Sequence, residues 1–126
     1  MGFAFGNKSK ERLKECDLRL QTLCEKMLSR SDFDMTITCG HRNKEEQEKA
    51  FSEGKSKAHF GQSKHNSYPS KAVDIVPYPI NWDVKDRRWS MMVALAYDTA
   101  RLLGIKIRCG AFFNGFADWP HIELDE

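Results

Sequence analysis

One carboxylate stands in the most apolar part of the chain. Lys71-Ala72-Val73-Asp74-Ile75-Val76 is rich in β-branched residues and reads as a strand, ended by Pro77 and Pro79. Asp74 interrupts it. Burying an unpaired charge is costly, so this carboxylate needs a partner drawn from elsewhere in the chain. The fold must therefore close around it.

Two histidines offer themselves. His65 lies in Ser63-Lys64-His65, nine positions before Asp74, and His121 ends Asp118-Trp119-Pro120-His121. Pro120 holds Trp119 in extended conformations, so the chain enters the His121 to Leu124 strand straight. Alternation then sets His121 and Glu123 on one face, with Ile122 and Leu124 on the other, and Glu123 can orient the imidazole. Two imidazoles and a carboxylate are donors suited to one Zn²⁺. Three protein ligands leave a position for water, the pattern of a catalytic rather than a structural site. Asp118, three residues before His121, would then take a proton from that water. Each residue also has a plainer reading: a solvated loop histidine, or a surface carboxylate near the C-terminus.

The chain has 126 residues, 40% of them hydrophobic and 30% charged, which suits one folded domain spanning 1–126 with little room for a second. A net charge of +2 gives no argument for nucleic acid. No apolar run reaches the roughly 18–20 residues that span a bilayer, so no stable membrane insertion is expected. The N-terminus carries no secretory pattern. Cys16, Cys24, Cys39 and Cys109 form no CxxC pair and read as buried, reduced thiols.

Leu13, Cys16, Leu20, Leu23, Cys24 and Met27 recur at helical steps and predict one helix from Ser9 to Ser29, capped by Asn7 or Ser9. Met35 to Cys39 alternates as a strand ended by Gly40, and Lys44 to Phe51 reads as a short helix. Gly54 to Pro69 is a polar loop with no calcium-binding pattern. Arg87 to Leu103 is the clearest helix, with Asp86 as N-cap and Gly104 as stop. Its buried face comprises Trp89, Met92, Val93, Ala96, Tyr97, Ala100 and Leu103. Ile105 to Cys109 reads as a strand, followed by a Gly- and Phe-rich loop from Gly110 to Ala117. The expected class is α+β, a small, mostly antiparallel sheet flanked by helices. Trp89 belongs to the core, whereas Trp119 and the Phe112–Phe116 loop either line a cleft or simply pack. His41 and His59 read as surface groups or as supports for the site, not as ligands.

Ser63-x-His65…Asp74 with Asp118-Trp119-Pro120-His121 resembles the zinc peptidases that include the D-Ala-D-Ala carboxypeptidases of vancomycin resistance and the Hedgehog-like domains. It is most similar to phage endolysins of the L-alanyl-D-glutamate peptidase type. Thr38-Cys39-Gly40-His41-Arg42-Asn43-Lys44-Glu45-Glu46-Gln47 matches the family's strand, Gly-aromatic-Arg and Glu-Gln helix, so the likeness runs from about Met35 to Glu123. The chain departs in one place. Asn66-Ser67-Tyr68-Pro69-Ser70-Lys71 lengthens the His-to-Asp spacing by two residues and lacks the usual Gly, so Ser67, Pro69 and Ser70 must make a different turn.

The resemblance implies that His65, Asp74 and His121 hold Zn²⁺ and that Asp118 is the general base and acid. Arg42 would face the oxyanion or a substrate carboxylate. Ser63 and Gln47 would bind substrate or support the site. Asp rather than Glu at position 118 leans towards the endopeptidase branch. The expected activity is cleavage of L-Ala-D-Glu in the peptidoglycan stem peptide. The enzyme would be a monomer, held in the host cytoplasm until a holin-type membrane protein releases it to the periplasm and cell wall at lysis. Two alternatives remain at this point: a D-Ala-D-Ala carboxypeptidase, and a non-catalytic zinc-stabilised binding module that would not need Asp118.

Overall fold

A computed structural model describes residues 2–126. Four helices, α1 (Asn7–Lys14), α2 (Leu18–Arg30), α3 (Lys44–Ser52) and α4 (Arg87–Leu103), surround four strands, β1 (Asp34–Cys39), β2 (Ala72–Tyr78), β3 (Ile107–Cys109) and β4 (His121–Leu124). The sheet is antiparallel throughout, in the order β1-β2-β4-β3. This is the expected α+β class.

One face of the sheet carries the core. Ile37, Val73, Ile75, Ile122 and Leu124 are buried with Leu20, Leu23 and Met27 of α2 and Trp89, Met92 and Ala96 of α4. α2 packs against α4, and α1 lies along β1. Truncating one of these leucines to Ala would cost about 2–5 kcal/mol, through lost transfer energy and the cavity left behind. α4 keeps its expected bounds: the Asp86 carboxylate accepts from Arg88 N at 3.0 Å, and Gly104 ends it with φ +71°. Tyr97 and Leu103, expected on its buried face, are only partly covered, and Thr99 is buried instead. The Tyr97 hydroxyl lies at the edge of the core, where it accepts from Cys109 N at 2.9 Å.

The single helix expected from Ser9 to Ser29 is two. The chain breaks at Glu15-Cys16-Asp17 because the loop before β2 docks there. Ser70 N donates to Glu15 O and Asp17 N donates to Ser70 O, each at 2.8 Å. The Asp17 carboxylate then caps α2 by accepting from Arg19 N at 2.9 Å. The apolar stripe survives the break, since Leu13, Cys16, Leu20 and Cys24 are all buried. α1 is capped by Gly6 rather than Asn7 or Ser9. Ser9 is buried, and its hydroxyl accepts from Ile37 N at 3.0 Å, tying α1 to β1.

β2 does not stop at Pro77 but continues to Tyr78. β4 pairs only with Ala72, Val73 and Asp74, so at Pro77 the strand is paired on one side, by Met35, and a missing amide is tolerated. β3 begins at Ile107, two residues later than expected. The polar loop contains a 3₁₀ turn at Lys64–Asn66, where the Ser63 hydroxyl accepts from His65 N at 3.2 Å. Ser70, fully buried, closes the longer His-to-Asp turn through its contacts with Ala72.

Candidate active site

The face of the sheet opposite the core carries the polar groups. β-Pairing sets Cys39 and His121 on either side of Asp74, one row across β1, β2 and β4. Cys39 reaches that row through a bulge: Ile37 pairs with Ile75, yet Cys39 pairs with Asp74. Simple alternation would keep Cys39 on the core face with Ile37. The extra residue turns it over, a common use of bulges beside functional sites.

His65 arrives from the 3₁₀ turn. It is 2% exposed, and its Nε2 lies 3.1 Å from Asp74 Oδ1. Its Nδ1 is 2.7 Å from Gly40 O, so that nitrogen carries a proton and donates to the carbonyl. His121 meets the same Asp74 oxygen through Nδ1 at 3.4 Å, while its Nε2 lies 2.8 Å from Glu123 Oε1. Each imidazole thus turns one nitrogen to Asp74 and has the other anchored by an acceptor. This is how metal-binding histidines are oriented. Asp118 Oδ2 is 3.9 Å from His121 Nδ1.

Asp74 belongs to both clusters of donor atoms that lie within 4.8 Å of one another, Cys39 with His65 and Asp74, and Asp74 with Asp118 and His121. Each cluster holds one of the two histidines, and both His65 Nε2 and His121 Nδ1 approach Asp74 Oδ1, with Asp118 on the His121 side. Cys39, read from sequence as a buried thiol, is only half-buried, with Sγ 3.8 Å from His65 Nδ1 and 3.6 Å from Arg42 Nη2. The other three cysteines fit the bland reading. Burial pushes Cys16 and Cys109 up to about 12 and raises Cys24 as well, so they stay as thiols.

The charges are tightly coupled. Burial works against the charged forms of His65 and His121, but their contacts with Asp74, and with Glu123 for His121, outweigh it and raise both histidines above their ordinary range. Burial likewise opposes ionisation of Asp74, yet the two histidines hold it well below the usual carboxylate range. Asp118 moves the other way. Burial, helped by repulsion from Asp74, lifts it above an ordinary aspartate despite nearby His121, His65 and Arg42.

Arg42 lies at the rim, 3.8 Å from Asp74 Oδ2. Gln47 holds it there. That side chain, fully buried, accepts from Arg42 Nη1 and Asn66 Nδ2 at 3.0 Å each, and donates to Ser56 Oγ and Ala58 O at 3.0 and 2.7 Å. With both ends engaged, Gln47 is a strut rather than a group open to substrate. His41 and His59 stay off the site: His41 contacts Asn66 O, and His59 pairs with Glu48.

Gly110 was not visible as a site residue in the sequence. A Cβ there would lie 2.2 Å from Asp118 O and 2.9 Å from His121 Cβ. Asp118 N also donates to Gly110 O at 2.9 Å. Absence of a side chain at 110 is what lets the Asp118 turn sit down on the strand.

Two grooves meet over Asp74. The larger, ≈ 790 Å³, runs along Trp119, Val84 and Trp82, and the smaller, ≈ 380 Å³, along Ser63, Lys57, Phe113 and Phe116. Both are bounded by Arg42 and Asp118.

A family model described as phage L-alanyl-D-glutamate peptidase matches residues 1–125. The chain belongs to that family. A phage L-alanyl-D-glutamate peptidase is a peptidoglycan peptidase. Among solved structures, the peptidase is similar to the crystal structure of the Serratia marcescens L-Ala D-Glu endopeptidase ChiX, with a TM-score of 0.81, 22% identity, and coverage of 97% of this chain and 90% of that chain. At that identity the likeness speaks for the fold. No curated protein sequence matches the chain. Among the described residues, no helix of the peptidase is long and apolar enough to cross a membrane.

Proposed function

We propose that this chain is a zinc-dependent endopeptidase that cuts the L-Ala-D-Glu bond of the peptidoglycan stem, and serves as a phage endolysin. One observation carries the reading: two imidazoles, each with its far nitrogen anchored, converge on one carboxylate beside a second carboxylate of raised pKa. Nitrogen and oxygen donors in a His-Asp-His set suit zinc with an open position. His65, Asp74 and His121 would hold the ion. When bound, it supplies Lewis acidity that polarises the scissile carbonyl and makes water a stronger acid.

The chain's own residues do the rest. Asp118, next to His121 and partly buried at the edge of both grooves, takes the proton of the attacking water and returns it to the leaving amine. Its raised pKa suits both halves of that task. Arg42, braced by Gln47, stands where it can meet negative charge developing on the carbonyl oxygen. Glu123 holds His121 Nε2, which leaves Nδ1 directed at Asp74, where it would serve as a ligand. Ser63 fixes the turn that presents His65, and it borders the smaller groove, whereas Trp119 walls the larger one.

The two grooves favour cleavage inside a chain over removal of a terminal D-Ala, because substrate can extend away from Asp118 on both sides. A binding module would have no use for Asp118 and Arg42 at this spot. As an endolysin, the enzyme would wait as a monomer in the host cytoplasm until a holin-type membrane protein lets it reach the wall.

The test is digestion of purified peptidoglycan by wild type and Asp118→Asn, with the new termini read by mass spectrometry. New D-Glu amino termini, lost with chelator and reduced about 10²–10⁴-fold in the variant, are the expected result. Release of free D-Ala would move the enzyme to the carboxypeptidase branch. Bound zinc with no cleavage would make it a binding module, and wild-type turnover by Asp118→Asn would remove Asp118 from its role.

A further inference from the structure

The two grooves differ in chemistry, and the difference gives the cleft a direction. Trp82 stands in the wall of the larger groove and is 64% exposed. One part of its indole is backed by Trp89, with ring centroids 5.7 Å apart and planes 31° off parallel. The remainder faces outward over the groove.

The loop that carries Trp82 is held in place. Trp89 Nε1 donates to Asn81 O and Arg88 Nη2 to Pro79 O, each at 2.8 Å, and the Asn81 and Asp83 side chains each accept from an amide two residues on, at 3.0 Å. An open aromatic surface on a pre-set loop is a stacking platform that costs little ordering on binding.

The smaller groove also contains aromatics, but each has a cation over its ring. Lys57 Nζ sits 5.0 Å over the Phe116 ring, and Arg108 lies 5.1 Å over Phe113, which also packs on His121. Lys57 and Lys64 line this side and not the larger groove, Lys64 within 3.4 Å of Glu123, so an anion entering here meets two ammonium groups.

The substrate has the matching asymmetry, on the reading that L-Ala-D-Glu is the bond cut. Its acyl side is a single L-Ala attached through lactate to a muramic sugar. Its amine side is a D-Glu with a free α-carboxylate, followed by the rest of the stem. One extended residue spans about 3.3–3.6 Å, so the sugar must begin within about two residue lengths of the scissile bond. We propose that the Trp82 groove receives the N-acetylmuramyl ring of the glycan strand, while the Lys57 groove receives the anionic stem. Trp82 is thus a positioning residue for glycan-linked substrate.

The orientation follows from charge as well as shape. The muramyl carboxyl is consumed in its amide to L-Ala, so the sugar side is neutral and offers apolar ring faces. The D-Glu carboxylate would gain from the lysines and lose from the aromatic wall.

The experiment compares kcat/KM on two substrates of the same stem peptide, one bearing N-acetylmuramic acid on L-Ala and one acetylated there instead. Wild type should prefer the sugar-bearing substrate. Trp82→Ala should reduce that preference about tenfold, the order of one lost aromatic contact, chiefly through KM. Trp82→Tyr should restore most of it, which a merely structural role would not require. Equal loss on both substrates, or no loss on either, overturns the proposal. If wild type cuts neither substrate at this bond, the peptidase specificity proposed above fails, and the assignment of the grooves fails with it.

Discussion

Asp74 and His121 are directly opposed across the β2–β4 ladder, and Asp74 Oδ1 lies 3.4 Å from His121 Nδ1. Directly opposed residues share a face of the sheet and are its closest side-chain neighbours. Two of the three proposed ligands are thus set side by side by backbone pairing. His65, the third, depends on the 3₁₀ turn and on Gly40.

Metal binding should release protons. Without metal, the Asp74 carboxylate outweighs burial and raises His65, so His65 carries a proton at neutral pH, while Asp74 stays ionised. A metal needs the neutral imidazole. Since the metal-free histidine has the higher pKa, lowering the pH strengthens the competing proton, and affinity should rise with pH. Zinc titrations by calorimetry in buffers of different ionisation heat should show net proton release at neutral pH. Equal heats in all buffers would mean that His65 is already neutral.

Glu123→Gln should weaken zinc binding while leaving every proposed ligand in place. The carboxylate accepts from His121 Nε2 at 2.8 Å, fixing the tautomer that leaves Nδ1 free to coordinate. Loss of such a partner costs about 10–100-fold in metal affinity. Competition with a chromogenic chelator would measure it. Unchanged affinity would assign Glu123 to the Lys64 and Arg108 charges that also approach it.

Much of the site could be read before the fold was known. Asp74 announces itself by standing among Ala72, Val73, Ile75 and Val76, and strict alternation pairs His121 with Glu123. The helix α4 was legible because caps, periodicity and stop all agree. What could not be read was set by contacts distant in sequence. The break between α1 and α2 comes from Ser70, more than fifty residues away, whose backbone takes over Glu15 O and Asp17 N. Periodicity sees the apolar stripe but not the competing hydrogen bonds. Cys39 depends on a bulge, and a bulge reverses every inference that alternation makes beyond it.

Gln47→Leu should destabilise the fold and lower kcat/KM together. The substitution keeps the bulk but removes one hydrogen-bond partner each from Arg42, Asn66, Ser56 and Ala58 O. A buried group left unsatisfied costs about 1–3 kcal/mol. Thermal melting and peptidoglycan turnover would check both effects. Normal melting with full activity would show that Arg42 needs no brace.

Gly110→Ala separates positioning of Asp118 from the presence of the metal ligands. The substitution changes no polar group, and Gly110 does not need a positive φ, so backbone preference is not the issue. Space is. The added methyl would meet Asp118 O at 2.2 Å and the Cβ atoms of His121 and Asp118 at 2.9 and 3.0 Å, and the first of these is backbone that cannot swing aside. Either the β3–β4 connection lifts or the Asp118 turn moves outward. Overpacking of this kind costs about 1–3 kcal/mol in stability. Catalysis should suffer more than that loss implies, because a general base must stay within hydrogen-bond reach of the proton it takes. Zinc affinity should fall less than kcat, since His121 remains paired to Asp74 through the strand and His65 lies on another segment. Melting, chelator competition and turnover on one sample would separate the three. A folded variant with normal turnover would mean that the turn tolerates the shift, and that Gly110 does no more than fill a crowded corner.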